Sequence, residues 1–497
     1  MYIKNLLERQ QDNVKIAITQ GNRTLSYQEW YKISQNLAKE IGAHLKSDNS
    51  NVAIFLPNSI DYAIAYFAIT FNDKTIVPIG IQAKELEVCS TAKYCELDVF
   101  VSISSWASTL VEYFKDYEYR VEIFCIDNSQ WIVVNETMPV IDKTKAEPLT
   151  EKSTAIMLHT SGSTYLPKRV MLTHYSLIYN VESNIDSLKL TENDVCLISI
   201  PMFFGYCNTA QFLTHIYLGA SMVIMTGIFY PKEFLKVIEK EKVTNYTGVP
   251  SNLLMFLQYK YSDKYDFSSL RYICFGGGVM PIEGLKELIT RFPSIGFVQT
   301  YGQTEASPRL TANLPEFSLL KIGSVGTPIK DVKIRVVDET NKDCVTNQVG
   351  EIIANGPNVM KGYYKNEEAT KETIVDGWLH TGDLGYLDED DFLYIVGRKK
   401  NIIISGGINI YPEEIEEVLL MNPNIKDVLV YGESDYLLGE VPVAEVVYAD
   451  DAEEVDLTAY CMEKLAKYKV PTKFYIQEKL EKTYNGKIKR KYGNKGE

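Results

Sequence analysis

The sequence predicts an α/β protein with a large N-terminal domain of two doubly wound α/β subdomains plus a small β-barrel-like piece, followed by a small mobile α+β C-terminal domain. Three observations support this prediction. The chain has 497 residues, more than a single hydrophobic core usually supports. Apolar strand-like runs alternate with amphipathic helical stretches over much of its length. Near residue 323 the pattern changes to short strand-like runs.

The first alternation of strands and helices lies near the N-terminus. Ser26 and Glu29 have the spacing of a capping box, so a helix is expected over residues 30–45. The elements predicted next are a strand over 51–56, a helix from Asn58, a strand over 75–79, a helix from Lys84 and a strand over 98–103. This order is typical of a parallel sheet covered by helices.

The same alternation resumes after Ser153 and predicts a second α/β subdomain. Its predicted elements are a strand over 155–158, a helix from His174, strands over 195–200 and 222–225, a helix over 232–242 and a strand over 272–275. Short alternating runs over 323–398 predict the antiparallel, barrel-like piece. Pro412 at a helix N1 position opens the final α+β unit. We therefore expect one domain over 1–398 and a second over 399–497.

Bulk composition argues against several classes of protein. Hydrophobic residues make up 45% and charged residues 23% of the chain, values that fit a globular protein rather than a disordered one. The formal net charge of -14 argues against a nucleic-acid partner, because contacts to phosphates need an excess of Lys and Arg. Neither a signal peptide nor a membrane span is expected. The eight cysteines are scattered without metal-binding spacing, which favours reduced thiols and a cytoplasmic location.

A loop rich in Ser and Thr is the most informative segment. It reads TSGSTYLPK over 160–168, after an apolar strand and before a helix. Backbone amides and hydroxyl groups in such a loop can surround phosphate oxygens, and Lys168 adds a compact positive charge. The segment is not a Walker A loop, because GxxxxGK[ST] is absent. The alternative interpretation is a surface turn.

A second segment, TYGQTE over 300–305, follows a strand-like run. At the mouth of a parallel sheet, the ring of Tyr301 can stack on a base, a hydroxyl group can bind a phosphate, and Glu305 can hold Mg2+. The alternative places Tyr301 in the core and leaves Glu305 as a solvated charge.

Two further segments carry charged candidates. Asp383 and Arg398 lie in the run 378–398, where a carboxylate can accept ribose hydroxyls and an arginine can pair with a phosphate. A β-hairpin with an acidic turn is the alternative there, and it accounts for the acidic cluster 388–391. Lys487 follows a glycine near the C-terminus and can stabilise charge that develops in a transition state. Its alternative is a solvated basic tail.

These four segments occur together and in order, and the chain resembles the adenylate-forming superfamily of acyl-CoA synthetases, aryl-CoA ligases, luciferases and carrier-loading adenylation domains. The resemblance runs over nearly the whole chain, from LSY through TSGST, YGQTE, GEI, HTGD, GR and GGINIYPEEIE to NGK. It implies ATP and Mg2+ as cofactors, a small carboxylic acid as substrate, and CoA or the phosphopantetheine arm of an acyl carrier protein as acceptor.

The resemblance also implies a role for each matching residue. The ATP-binding residues would be Thr160, Ser161, Gly162, Ser163, Thr164, Lys168, Gly277, Gly278, Tyr301, Thr304, Asp383, Arg398 and Lys487. The catalytic residues would be Lys487, Thr304 and Lys168, with Glu305 at the metal. The acyl pocket would include Phe203, Phe204, Val249, Gly276 and Ser307. Lys400 would be the hinge, and the loop facing the thiol acceptor would be Ser405, Gly406 and Gly407.

The chain departs from the family pattern at three positions. Tyr165 and Arg169 stand where the phosphate loop usually has glycine, which predicts a stiffer loop and slower or conditional turnover. Phe204 stands where many relatives have a histidine near the carboxylate. The resemblance implies that the acyl pocket is walled by the segments 203–207, 249–253, 274–278 and 307–309. These segments contain no Asp or Glu to receive an ammonium group, so we expect an aromatic or short-to-medium aliphatic acid rather than an amino acid.

The leading hypothesis is an acid:CoA ligase that forms an acyl-AMP, releases pyrophosphate and makes a thioester. A first alternative is an acid:AMP ligase that loads a carrier protein. A second alternative is a regulator that binds a nucleotide or an acyl-adenylate without turnover. The substitutions Tyr165 and Arg169 in the phosphate loop suggest this alternative. A luciferase-like oxidation is neither indicated nor excluded.

Overall fold

The structure is a computed structural model that describes residues 1–45, 51–115, 121–134, 148–159, 168–406, 408–450, 452–482 and 488–490. Within these ranges the chain forms four sheets, two of them large and mainly parallel in their centres. No helix in these ranges is both long enough and apolar enough to cross a membrane.

The first large sheet has eight strands. In spatial order they are Gly362–Tyr363, Arg169–Thr173, Thr154–His159, Thr75–Pro78, Asn51–Ile54, Leu97–Ser102, Glu122–Asp127 and Gln130–Val133. The central pairs are parallel and the outer pairs antiparallel. Its helices are Ile60–Phe71, Glu85–Tyr94 and Ser104–Lys115. Every residue of Leu97–Ser102 is buried, as expected for a strand covered on both faces.

The second large sheet has nine strands. In spatial order they are Thr327–Pro328, Thr311–Asn313, Gly296–Tyr301, Tyr272–Phe275, Asn245–Gly248, Val195–Ile198, Ser221–Ile224, Ile16–Gln20 and Arg23–Ser26. The six strands from Gly296–Tyr301 to Ile16–Gln20 run parallel. Helices of this part are Lys4–Glu8, Tyr27–Ala43, His174–Leu188, Gly205–Cys207, Thr214–Leu218, Pro231–Glu241, Pro250–Gln258 and Ile282–Arg291, with a π-helix at Asn208–Leu213.

Two five-stranded sheets complete the described chain. The first is antiparallel and contains Lys333–Val337, Gly350–Asn355, Trp378–Leu387, Ile374–Val375 and Leu393–Arg398, beside helix Glu367–Thr373. The second contains Ile408–Ile410, Ile403–Ser405, Gly439–Tyr448, Ile425–Asp435 and Lys473–Ile476, with helices Pro412–Leu420 and Leu457–Lys464. Short 3-10 helices lie at Ser262–Lys264, Thr304–Ala306, Lys399–Asn401 and Lys467–Lys469. The last sheet packs its own apolar cluster around Ile415 and Val430.

The predicted α/β architecture, with a large N-terminal part and a smaller C-terminal unit, is confirmed. The capping box forms as expected: Ser26 accepts a hydrogen bond from the backbone of Glu29, and the Glu29 carboxylate accepts one from the backbone N–H of Ser26. The sequence did not reveal which sheet each strand joins. Strands Thr154–His159 and Arg169–Thr173 follow Ser153 in the chain but join the eight-stranded sheet. The domain boundary at 398/399 stays a prediction.

Candidate active site

Tyr301, Asp383 and Arg398 form one connected group. The Tyr301 hydroxyl donates a hydrogen bond to Asp383 Oδ2 at 2.8 Å, and Arg398 Nε lies 2.7 Å from Asp383 Oδ1. Asp383 and Arg398 are direct partners across the antiparallel pair Trp378–Leu387 and Leu393–Arg398. A carboxylate accepts hydrogen bonds at both oxygens, so Asp383 has the chemistry of a group that binds the two hydroxyls of a ribose.

The chemistry of Tyr301 suits a donor rather than a base. Burial and the neighbouring charge of Asp383 raise the pKa of Tyr301 well above its usual value, so the hydroxyl stays protonated at physiological pH. Tyr301 is the last residue of strand Gly296–Tyr301 and lies at the carboxyl end of the parallel strands of the nine-stranded sheet. Ligands of open α/β sheets bind at this edge.

Two glycines near Tyr301 permit close backbone approach. A β-carbon on Gly276 would lie 2.5 Å from the Thr300 carbonyl oxygen, and one on Gly302 would lie 1.8 Å from the Pro308 carbonyl oxygen. Neither position can carry a side chain without moving backbone, so glycine is required at both. The backbone of the segment TYGQTE therefore packs closely against Gly276 on one side and against Pro308 on the other.

The glycines that follow strand Tyr272–Phe275 lie at the same edge of the sheet. Gly277 has a φ of +78° and Gly278 would place a β-carbon 3.7 Å from the Pro250 ring. Val249 is the N-cap of helix Pro250–Gln258. The predicted segments 249–253 and 274–278 are therefore neighbours.

Glu305 connects to Lys168 through a tyrosine that the sequence interpretation missed. The Tyr363 hydroxyl donates a hydrogen bond to Glu305 Oε1 at 2.8 Å, and Lys168 Nζ lies 4.8 Å from the centroid of the Tyr363 ring. Strand Gly362–Tyr363 pairs with Arg169–Thr173, which brings the two segments together. The only signal in the sequence was an aromatic residue after a glycine in 361–364, a pattern that names no partner.

Glu305 fits a magnesium ligand. The carboxylate is largely buried, and among the described residues it has one hydrogen-bond partner, at Oε1. The described ranges contain no cluster of three or more His, Cys, Asp or Glu side chains able to hold a metal. Mg2+ is commonly held by one or two carboxylates together with substrate phosphates and water, so a single glutamate beside a phosphate site suits it. Thr304 precedes Glu305 in the 3-10 helix Thr304–Ala306 and is partly exposed.

Lys168 and Arg169 directly follow the central residues of the predicted phosphate loop. Residues 160–167, which include Thr160 to Thr164 and Tyr165, lie outside the described residues. Lys168 is exposed, whereas the Arg169 guanidinium is buried and donates a hydrogen bond to Thr91 Oγ1 at 2.6 Å. The arginine that replaces a family glycine therefore points into the interior near helix Glu85–Tyr94.

The predicted acyl-pocket residues Phe203 and Phe204 lie beside the start of the phosphate loop. Their ring centroids are 4.5 Å apart, and Phe203 stacks on His159 with centroids 6.2 Å apart. Burial, helped by the charge of Arg169, lowers the pKa of His159 to about 4. The imidazole is therefore neutral at physiological pH. Ser307 is fully buried and adopts a left-handed conformation, with a φ of 62°.

Several predicted site residues are not connected by a described contact to the residues around Tyr301 and Glu305. Lys400 lies in the exposed 3-10 helix Lys399–Asn401. Gly406 donates a backbone hydrogen bond to the Leu438 carbonyl, and within the described ranges no hydrogen bond or ion pair joins Ser405 or Gly406 to Tyr301 or Glu305. Gly407 and Lys487 lie outside the described residues.

Comparison with known proteins identifies two matching family models. The model described as AMP-binding enzyme matches residues 7–364, and the one described as AMP-binding enzyme C-terminal domain matches residues 414–487. Among curated proteins, the chain is 32% identical over 486 residues to a 2-succinylbenzoate–CoA ligase of Bacillus subtilis, covering 97% of this chain and 96% of that protein. It is also 32% identical over 491 residues to 4-coumarate–CoA ligase 1 of Arabidopsis thaliana, covering 94% and 86%.

Solved structures of the Bacillus subtilis o-succinylbenzoate CoA synthetase superpose closely. The complex with its acyl-adenylate intermediate gives a TM-score of 0.86 at 30% identity and covers 98% of this chain and 97% of that one. The complex with ATP and magnesium ion gives the same TM-score of 0.86 at 30% identity, with 97% and 98% covered. The likeness therefore extends over both the large and the small part of the chain.

Proposed function

The chain belongs to the AMP-binding enzyme family, and we propose that it activates a carboxylic acid with ATP and transfers the acyl group to CoA. The observation that carries this proposal is the convergence of two groups at one edge of the sheets: Tyr301 with Asp383 and Arg398, and Glu305 with Tyr363 and Lys168. The first suits a nucleoside, and the second suits a triphosphate with its metal.

The first half-reaction brings a carboxylate to ATP. A carboxylate oxygen attacks the α-phosphorus, a new phosphorus–oxygen bond forms, and the bond to the β-phosphate breaks to release pyrophosphate. Two anions approach each other, so positive charge must be placed in advance. Lys168 and Mg2+ held by Glu305 would supply this positive charge from the large N-terminal part of the chain, and Lys487 would supply it from the C-terminal segment. Asp383 would hold the ribose and Tyr301 would stack on adenine.

The second half-reaction needs a thiolate at the acyl carbon. The thiolate attacks the carbonyl of the acyl-AMP, the thioester forms, and AMP leaves. Lys487 and the thiol would need the same space in turn, which accounts for placing this lysine on a smaller unit that turns about Lys400 and brings the loop 405–407 to the acceptor. No step requires a covalent bond to the protein.

Other observations support the class of acid, the acceptor and the cellular compartment. Phe203 and Phe204 make the predicted pocket wall largely apolar, which supports an aromatic or short-to-medium aliphatic acid. Related proteins named as CoA ligases support CoA as the acceptor. All eight cysteines are free thiols and seven are buried, which supports a reducing cytoplasm.

ATP–pyrophosphate exchange tests this function. We expect the purified chain to catalyse exchange that depends on Mg2+ and on an added acid, across a panel of aryl, branched and linear acids that includes 2-succinylbenzoate and 4-coumarate. Adding CoA to an active pair should yield the acyl-CoA thioester and AMP. Replacement of CoA by a phosphopantetheinylated carrier protein is the discriminating arm, because exclusive use of the carrier would assign the acceptor differently.

The variant Lys487→Ala tests the role proposed for Lys487 in the first half-reaction. We expect exchange to fall by about 100-fold or more, because positive charge is lost where it builds up in the transition state, while the melting temperature stays near that of the wild type. ATP binding without exchange for any acid in the wild type would favour a regulator that does not turn over, and would overturn the proposed function.

A further inference from the structure

A short segment, 360–364, lies between Glu305 and the strand that directly follows the phosphate loop. The Met360 N–H donates a hydrogen bond to the Glu305 carbonyl at 2.8 Å, and the Tyr364 N–H donates one to the Arg169 carbonyl at 2.8 Å. The segment is thus tied at one end to the predicted metal ligand and at the other end to the phosphate-loop strand. Its backbone therefore has a fixed position relative to both.

Tyr363 lies in this segment and makes two different contacts with its side chain. Its hydroxyl donates a hydrogen bond to Glu305 Oε1 at 2.8 Å, and the face of its ring lies 4.8 Å from Lys168 Nζ. Thr373 also hydrogen-bonds to the Tyr363 side chain, and Tyr363 is only 6% exposed. The tyrosine is therefore held in one orientation. Among the described residues, Glu305 Oε2 has no hydrogen-bond partner.

Both contacts constrain groups that the proposed reaction needs. A carboxylate that binds a metal ion is commonly oriented by a hydrogen bond to one of its oxygens. Because the Tyr363 hydroxyl occupies Glu305 Oε1, Oε2 is the oxygen that can bind Mg2+, which demands a near-octahedral arrangement of its ligands. A lysine ammonium group is attracted to the face of an aromatic ring, so the ring limits where the charge of Lys168 can lie.

We propose that Tyr363 is a positioning residue for the first half-reaction: its hydroxyl orients Glu305 so that Oε2 binds Mg2+, and its ring places Lys168 for the phosphates of ATP. The inference rests on the proposed function and adds a residue that acts through two others. One side chain thereby sets the relative position of the two positive charges that meet the triphosphate. The hydroxyl and the ring make separate contributions, which different substitutions remove.

ATP binding in the absence of an acid tests the role of the hydroxyl. Titration calorimetry gives the affinity for ATP with Mg2+ and for ATP with EDTA, and the ratio of the two measures what the metal adds. We expect Tyr363→Phe to lower the affinity for ATP with Mg2+ by about 10-fold or more, while the affinity for metal-free ATP changes by less than about two-fold. In a Glu305→Gln background the same substitution should have no further effect. The control is Tyr364→Phe, which removes a neighbouring hydroxyl that donates to Glu96 Oε2 at 2.8 Å and should leave both affinities unchanged.

Tyr363→Leu tests the ring, which Tyr363→Phe retains. We expect Tyr363→Leu to bind metal-free ATP about 2- to 5-fold more weakly than Tyr363→Phe, the range for an exposed contact between a cation and a ring. In a Lys168→Met background this difference between the two variants should disappear. The melting temperature of each variant checks that it is folded. If Tyr363→Leu does not fold, Tyr363→Phe with and without Glu305→Gln decides the proposal.

The outcomes separate this inference from the proposed function. An unchanged affinity for ATP with Mg2+ in a folded Tyr363→Phe variant would overturn the inference and leave the proposed function standing. Equal losses on Tyr363→Phe in the wild-type and Glu305→Gln backgrounds would do the same, because the hydroxyl would then not act through Glu305. A wild type that shows no acid-dependent ATP–pyrophosphate exchange would overturn the proposed function, and this inference with it.

Discussion

The Tyr301 hydroxyl hydrogen-bonds to Asp383 at 2.8 Å across 82 residues of sequence. This contact joins the nine-stranded sheet to the five-stranded sheet that carries Asp383. Under the proposed function, the Tyr301 ring would stack on the base and the Asp383 carboxylate would bind the sugar. The two residues therefore act as a pair.

Asp383→Ala and Tyr301→Phe test that pair. We expect Asp383→Ala to raise the KM for ATP by about 10- to 100-fold, because two hydrogen bonds to a charged acceptor are lost. Tyr301→Phe removes only the hydroxyl and should raise KM by a few-fold. The double variant should resemble Asp383→Ala alone, because the hydroxyl has then lost its partner. Steady-state kinetics with ATP checks this, with Tyr394→Phe in the same sheet as Asp383 as the control. Fully additive losses would contradict the coupling.

Gly276→Ala and Gly278→Ala separate a packing requirement from a ligand contact. The β-carbon of Gly276→Ala would meet the Thr300 carbonyl oxygen at 2.5 Å, whereas that of Gly278→Ala would meet only Pro250 at 3.7 Å. We expect Gly276→Ala to lower the melting temperature and Gly278→Ala to leave it nearly unchanged. Gly278→Ala should still weaken ATP binding, because its methyl group would occupy the edge where the nucleotide is expected. Thermal unfolding and ATP titration measure the two effects. Normal stability of Gly276→Ala would show that the backbone there can move.

The sequence predicted local structure well because its signals are local. The capping box at Ser26 and the hairpin that places Asp383 opposite Arg398 depend on residues close in the chain. The pairing of Asp383 with Arg398 could be predicted as part of that hairpin. Its contact with Tyr301 was not predicted, because the resemblance implied only that both residues bind the same nucleotide.

Other features could not be predicted, because they depend on tertiary packing. Nothing in the sequence near Tyr363 indicates that its hydroxyl reaches Glu305. Charged residues are usually exposed, so the burial of Arg169 and Arg309 runs against the expectation for single residues. The side chain of Arg169 lies against Thr91, and its expected effect on the flexibility of the phosphate loop stays a prediction.

The stability of the chain should fall as the pH falls from 6.5 toward 4, and His174 should contribute to this. Its Nδ1 accepts a hydrogen bond from the backbone N–H of Ile3 at 3.2 Å, and burial lowers its pKa to about 4. In the unfolded chain the imidazole takes up a proton near pH 6.5, whereas in the folded chain it does not, so acid favours unfolding in this window. The contribution lost between pH 7.5 and pH 5 is about 2 kcal/mol.

Urea unfolding of the wild type and His174→Asn at pH 7.5 and pH 5 measures this contribution. Asparagine keeps an acceptor near the Nδ1 position but does not titrate, so the variant should lose less stability on acidification. An identical loss in both proteins would assign the acid sensitivity to other groups, among them His159.

Lys400→Pro tests whether the C-terminal unit turns at the predicted hinge. Lys400 lies in an exposed 3-10 helix between Arg398, which is fixed to Asp383, and strand Ile403–Ser405. Proline fixes φ near -65° and removes an N–H group, so it should restrict a change of backbone conformation without removing groups from the nucleotide site. We expect thioester formation from preformed acyl-AMP to fall by at least about 10-fold, while ATP–pyrophosphate exchange stays within a few-fold of the wild type. Lys400→Ala, which leaves the backbone free, should affect both steps little. Equal losses in the two half-reactions of Lys400→Pro would place the hinge elsewhere.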